Sequence, residues 1–386
     1  MPSSPEARRY SCSSVYSKSL GISDMRSLGQ WFLDSEALRM TGFWQKVNPL
    51  TFCFVKPFRS PGYLRSTMEP DPHHDPFVTP LRNDVVSGAR VLSRKAAEVL
   101  RKAAIRLKAG SPEDFRWALA RVCTQVLETQ PAVAPLITLV RDVLRATDEA
   151  PNVETARHGA ARAAETFRKE LDKRVELVAQ RAANLIPAGS RIATFSSSST
   201  VAAALLYDAG ATTRKVVCFE SRPMNEGKDL AMRLAESGVE VTFAVDAAVG
   251  AIVSEVDIVL LGADSIGDLG VVNKIGSAAL VTAATRLDVP VVILADETKI
   301  LPTGFRQFLA DDRPTGDVWV EPPAGIRIWN RYFEPVPLFE ISNFVTESAI
   351  LPPAEMDTMR ASLNWPKSLM KLIDGARGRE LPETLD

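Results

Sequence analysis

The chain has 386 residues, 46% of them hydrophobic and 24% charged, a globular balance that excludes wholesale disorder. Its 46 Lys and Arg against 47 Asp and Glu leave a net charge of −1, so there is no positive surplus to hold a nucleic-acid backbone and no nucleic-acid partner is expected. The cysteines (Cys12, Cys53, Cys123, Cys218) lie far apart in no CxxC pattern and only three histidines occur; no zinc site, disulfide framework, metal or cofactor is expected.

The most apolar runs, DIVLLGAD and VPVVILAD, are strand-length and end in acids. They fall short of the roughly 20 residues a membrane-spanning helix needs, so no membrane partner is expected. The start, MPSSPEARRYSCSSVYSKSL, has no apolar stretch behind its arginines and is not a secretory signal. Its Ser- and Arg-rich, acid-poor character fits a transit peptide, and a true start at Met68 fits equally. A soluble, cytoplasmic protein is expected.

Residues 1–76 show no sustained period and end in the turn-forming cluster MEPDPHHDP, which predicts a poorly ordered extension. Residues 77–188 read as a helical domain. In it, DVVSGARVLSRKAAEVLRKAAIRL has apolar residues at helical spacing, and SPEDFRWALARVCTQVLETQP carries its own helix start. There Ser111 caps, Pro112 suits the first position, and Glu113 and Asp114 sit at the positive end of the dipole. VAPLITLVRDVLRAT and the long HGAARAAETFRKELDKRVELVAQRAANLI follow.

After Pro187-Ala188-Gly189 the rhythm becomes strand, helix, strand. RIATFS, KVVCFES, VEVTFAVD, DIVLLGAD and VPVVILAD read as strands that are nearly all apolar, as when helices cover both faces of a parallel sheet. TVAAALLYDAG, GKDLAMRLAESG, AAVGAIVSEV and NKIGSAALVTAATRLD read as helices between them. Residues 189–352 are therefore predicted to form a doubly wound, Rossmann-like α/β domain, with residues 353–386 as a polar tail.

Ligands in such sheets bind beyond the carboxyl ends of the strands. The unusual polar residues lie there: Ser196-Ser197-Ser198-Ser199-Thr200, then Glu220-Ser221-Arg222-Pro223 with Glu226-Gly227, then Gly262-Ala263-Asp264 and Asn273-Lys274-Ile275-Gly276-Ser277. The serine run supplies hydroxyls and free amides at a helix start, either for an anion or as plain caps. Arg222 offers a phosphate-matching fork, or is a solvated loop arginine. Asp264 follows a very apolar strand, where desolvation would raise its pKa toward acid/base work. Asp246 reads as a helix cap. The mixture points to a phosphorylated small molecule, while the absence of GxGxxG and GxxxxGK[ST] argues against dinucleotide and P-loop sites.

These segments, in this order and spacing, are similar to the initiation factor 2B alpha/beta/delta family, which includes ribose-1,5-bisphosphate and methylthioribose-1-phosphate isomerases. The resemblance runs from about Asp84 to about Pro352. It implies a sugar-phosphate pocket between a helical and a Rossmann-like domain, and a homodimer or higher homo-oligomer. It further implies that Ser197, Ser198, Arg222, Asn273, Lys274, Gly88 and Arg90 bind substrate and that Asp264 moves protons. The family's cysteine falls on Ser196, and its Arg-Gly-Ala on Ser87-Gly88-Ala89, where Arg90 or Arg94 would have to substitute. Two functions follow: an aldose–ketose isomerase acting on a sugar 1-phosphate, with Asp264 and Ser196 as its catalytic pair, or a non-catalytic subunit similar to those of the translation initiation factor, sensing a sugar phosphate or nucleotide. An enzyme with a different substrate is a third.

Overall fold

A sheet of parallel strands must be covered on both faces, and the order of elements shows how this chain does it. The computed structural model describes residues 78–84, 87–207, 214–309, 313–365 and 369–370. The expected extension over 1–76 lies outside them.

The short α1 (Thr79–Arg82) precedes four long helices: α2 (Ala89–Arg106), α3 (Pro112–Thr129), α4 (Ala134–Arg145) and α5 (Val153–Leu185). The start of α3 is set as its sequence predicts, with Ser111 Oγ accepting from the Asp114 amide at 3.1 Å and Pro112 in the first turn. Asn152 caps α5 by accepting from the Thr155 amide at 2.9 Å. The 33 residues of α5 make a rod about 50 Å long. Its first half (Ala156, Ala160, Ala164, Phe167, Leu171) packs in the core of the helical region. Its second half (Val178, Ala179, Ala182) packs on the sheet.

The strands are β1 (Arg191–Thr194), β2 (Lys215–Phe219), β3 (Glu240–Ala244), β4 (Ile258–Leu261), β5 (Ser265–Gly267), β6 (Gly270–Lys274), β7 (Val291–Leu294), β8 (Phe333–Val336), β9 (Asn343–Val345) and β10 (Ile350–Leu351). Between them lie α6 (Ser199–Leu206), α7 (Gly227–Glu236), the four-residue α8 (Val249–Ile252) and α9 (Ser277–Arg286). The main sheet runs β10-β9-β7-β4-β1-β2-β3, parallel except for β10 against β9. Side chains alternate between its faces. Ile192, Val216, Cys218, Ile258, Leu260, Val292 and Leu294 share a core with α5, α6 and α7. Their chain neighbours Ala193, Val217, Val259, Leu261, Val291 and Ile293 share another with α9. In β1, β2, β4 and β7 both registers are buried, which is why those strands read as unbroken apolar runs, whereas edge strand β3 is mostly exposed. The chain is thus a mixed α/β protein with a mostly parallel central sheet, and strand order reverses between β1 and β4.

Two segments differ from expectation. Asn273 and Lys274 do not enter a helix; they end β6, which forms a separate antiparallel sheet in the order β5-β6-β8. Pairing with β8, far along the chain, pulls them into extended backbone. Likewise the segment after 352 does not begin as a polar tail: Pro353–Ser362 is a helix, α10. Its Met356 is buried against the sheet core, and Trp365 beyond it packs edge-on to Phe305 with ring centroids 5.5 Å apart. Sparse apolar residues at helical intervals hold the segment down where average polarity predicts a tail. Among the described residues no helix is long and apolar enough to cross a membrane.

Candidate functional site

The reversal between β1 and β4 opens a crevice at their carboxyl ends, and a cavity of about 390 Å³ lies there. Its walls include Gly88 and Arg90 from the start of α2, Ser196, Ser197 and Ser198 after β1, Asp264 after β4, and Asn273 and Lys274 on β6.

Ser196 has a left-handed φ of 67°, a conformation that costs a non-glycine residue strain and persists where neighbours fix it. Its amide donates to Ser221 Oγ at 2.7 Å, and the Ser221 and Arg222 amides both donate to the Asp246 carboxylate at 2.7 Å. Asp246 is therefore the clasp that sets this turn; its side chain caps no helix. Ser198 Oγ accepts from the Val201 amide at 3.4 Å and starts α6. A methyl on Gly262 would sit 2.5 Å from Ser198 Oγ, so only glycine lets the β4 turn approach the serine loop. No acceptor meets the Ser199 and Thr200 amides at this helix start, nor the Ala89 and Arg90 amides at the start of α2, among the described residues. Ser199, Ala89 and Arg90 line the cavity, which suits their amides to anionic oxygens.

Asp264 is locked by its backbone: its amide donates to Val272 O at 2.8 Å, and its carbonyl accepts from the Ala134 amide, where α4 begins, at 3.1 Å. Burial pushes its carboxyl up to about 6, against the pull of Lys299 and Lys274; Glu226 adds to the rise. A group so poised can give or take a proton near neutral pH. Lys274, 3% exposed, donates to Glu226 Oε1 at 2.6 Å and stands 4.9 Å from the centre of the Tyr332 ring. Arg313 stands 4.9 Å from the same ring. The Tyr332 hydroxyl donates to Asp317 at 2.5 Å; burial and this bond push it up to about 12, so it is no acid at neutral pH. Asn273 donates to Ser277 Oγ at 3.0 Å. The start of α9 is already filled by its own carboxylate, since Glu334 accepts from the Gly276 and Ala278 amides at 2.8 Å each.

Arg222 departs from the set. It does not line the cavity; its guanidinium is exposed and reaches the Val318 carbonyl at 3.4 Å. The Asp246 clasp fixes its backbone, and the side chain leaves the turn on the outer side. Sequence reasoning names Glu226 on the rim without giving it a role and singles out none of Lys299, Tyr332 and Arg313; all four line the cavity. Lys299 is only 8% exposed and has no hydrogen bond or ion pair from its ammonium among the described residues. Its place just past β7, beside β4, obeys the same carboxyl-end rule and is the signal that finds it. Neither Cys123 nor Cys218 lines the cavity; both are buried, and burial pushes the Cys218 thiol up to about 12. No group of acids, histidines and cysteines suited to a metal occurs among the described residues.

Comparison with known proteins fits this geometry. The chain is 30% identical to ribose 1,5-bisphosphate isomerase of Methanocaldococcus jannaschii over 280 residues, covering 71% of this chain and 89% of that one. Among solved structures, the translation initiation factor eIF-2B of Pyrococcus horikoshii aligns with a TM-score of 0.63 at 27% identity, covering 72% of this chain and 96% of that chain. The 5-methylthioribose 1-phosphate isomerase of the same organism shares the fold at 19% identity, with a TM-score of 0.59 and coverage of 74% and 86%. With residues 85–353 matching the family model as well, the chain belongs to the initiation factor 2 subunit family.

Proposed function

We propose that the protein is a sugar-phosphate isomerase that converts the ring form of an aldose 1-phosphate, of the ribose 1,5-bisphosphate type, to its ketose. The observation that carries the reading is Asp264: a carboxyl raised to about 6 despite the pull of Lys299 and Lys274, in a cavity flanked by two helix starts. Two sets of free amides suit two phosphate groups, which favours a bisphosphate over a monophosphate. In this reading Ser197, Ser198 and the start of α6 take one phosphate. Gly88 and Arg90 at the start of α2 take the other. Asn273, Lys274 and Lys299 hold the sugar oxygens, and Asp264 moves a proton. Arg222 has an outer role in the turn. Self-association belongs to the same reading, supported by edge strand β3, whose Phe243 is 44% exposed.

The specific observation favouring the regulatory alternative is Ser196. A hydroxyl without a neighbouring base does not share a proton near neutral pH as a thiol does. Incubation with ribose 1,5-bisphosphate and with methylthioribose 1-phosphate, read by ketose formation, separates the readings. Ketose from the natural protein supports the isomerase. Ligand bound without turnover, and turnover gained in Ser196→Cys alone, would mark it as a binder. Failure of both ligands to bind would sink both.

Lys299 offers an independent check. With no hydrogen bond or ion pair from its ammonium among the described residues, its charge can serve a ligand, and Lys299→Met should weaken binding of ribose 1,5-bisphosphate by about tenfold or more, the equivalent of one charge-assisted hydrogen bond. Calorimetric titration reads this; unchanged affinity would remove Lys299 from the site.

A further inference from the structure

The serine at 196 leaves such an isomerase one proton carrier short, and the cavity holds a second carboxyl group besides Asp264. Glu226 sits at the N-cap of α7 and lines the cavity. Its Oε1 accepts from Lys274 at 2.6 Å, while Oε2 is buried with no hydrogen-bond partner among the described residues. A buried carboxylate oxygen without a donor is destabilising, and a ligand hydroxyl placed against it would remove that cost. The two acids also sense each other electrostatically, since Glu226 contributes to the raised carboxyl of Asp264. Lys274 fixes the orientation of Glu226, so Oε2 is the oxygen left for a ligand.

We propose that Glu226 is the second proton carrier, taking the proton of the sugar's C2 hydroxyl while Asp264 protonates the ring oxygen. The proposal rests on the isomerase reading above. The step balances without any co-reactant. The bond from C1 to the ring oxygen breaks with its electron pair on oxygen, which takes the Asp264 proton. Hydride moves from C2 to the electron-poor C1, and the C2 hydroxyl yields its proton to Glu226 Oε2 as the ketone forms. C1 is reduced as C2 is oxidised, the phosphate stays on C1, and one proton enters as one leaves. Glu226 then returns its proton to Asp264 through solvent.

The test compares the full chain with Glu226→Gln and Glu226→Asp, using ribose 1,5-bisphosphate as the probe. Ketose formation gives kcat and KM, and calorimetry gives Kd. Loss of a proton carrier should lower kcat about 100-fold or more in Glu226→Gln, with Kd within about threefold, and Glu226→Asp should fall between. A wild-type kcat in Glu226→Gln overturns the proposal, as does a loss confined to KM and Kd, which would leave Glu226 only as the seat of Lys274. Should the Gln variant not fold, Glu226→Asp decides: a kcat lowered at least tenfold at constant Kd supports the assignment, and a wild-type kcat overturns it. A natural chain that makes no ketose refutes the isomerase reading and this inference together; one that turns over but tolerates both variants refutes this inference alone.

Discussion

Asp264→Asn is expected to cut turnover by about a thousandfold or more while making the folded chain more stable at neutral pH. The amide keeps the size of the side chain but carries no exchangeable acid proton, so the proton step is lost. Stability moves the other way because the carboxyl is pushed from 3.8 up to about 6. A raised carboxyl holds its proton more tightly in the folded state. Its penalty is therefore absent below about pH 4, grows as pH rises through the folded value, and is complete above about pH 6. A rise of that size corresponds to at most about 3 kcal/mol, and Asn escapes that penalty. Thermal unfolding at pH 7.5 should show the variant ahead by a few degrees, and at pH 3.5 the two proteins should coincide. A variant that still turns over within tenfold, or one whose advantage is the same at both pH values, would remove Asp264 from the centre of the site.

Gly276→Ala should be among the most damaging single-methyl changes. Gly276 has a φ of 102°, where a side chain is strained, and a methyl there would lie 2.3 Å from the ring of Phe195. Phe195 is 1% exposed and stacked on Phe219 at 5.9 Å, so it has nowhere to yield. Backbone strain of about 1–2 kcal/mol and overpacking of about 1–3 kcal/mol add to roughly 3 kcal/mol. Because Phe195 leads directly into Ser196, ligand affinity should fall with stability. Gly304→Ala separates the two costs: its φ is 79°, yet nothing lies within 4 Å of the added methyl. Denaturant unfolding should place it about 1 kcal/mol below the natural chain. Equal losses at the two positions would mean that the contact with Phe195 is not what matters.

What could be read from the sequence was what local pattern encodes. The start at Ser111-Pro112 and the unbroken apolar strands each depend on neighbours within a few residues, and both are seen in the fold. The β5–β6 hairpin is hidden because a three-residue strand flanking Gly267-Asp268-Leu269-Gly270 looks like a loop. Its third strand comes from Phe333–Val336, and no local period announces that pairing. The carboxyl-end rule places residues on the rim but does not say which way they face. It brings Asp264 and Lys274 to the cavity and cannot tell that Arg222 leaves the same rim outward. Tyr332 and Arg313 reach the site from stretches far along the chain, where nothing local marks either side chain for the cavity. Ser196 is legible as a departure from the family pattern, whereas the unpaired oxygen of Glu226 emerges only in three dimensions.

The long rod of α5 constrains how the molecule can be rebuilt. Since one uninterrupted helix supplies part of the helical core and part of the core on one face of the sheet, a crossover placed within it to graft a foreign catalytic half would sever it and strand apolar stumps in each hybrid. Viable chimeras should therefore carry Val153–Leu185 whole, exchanging rim loops and leaving the mast in place.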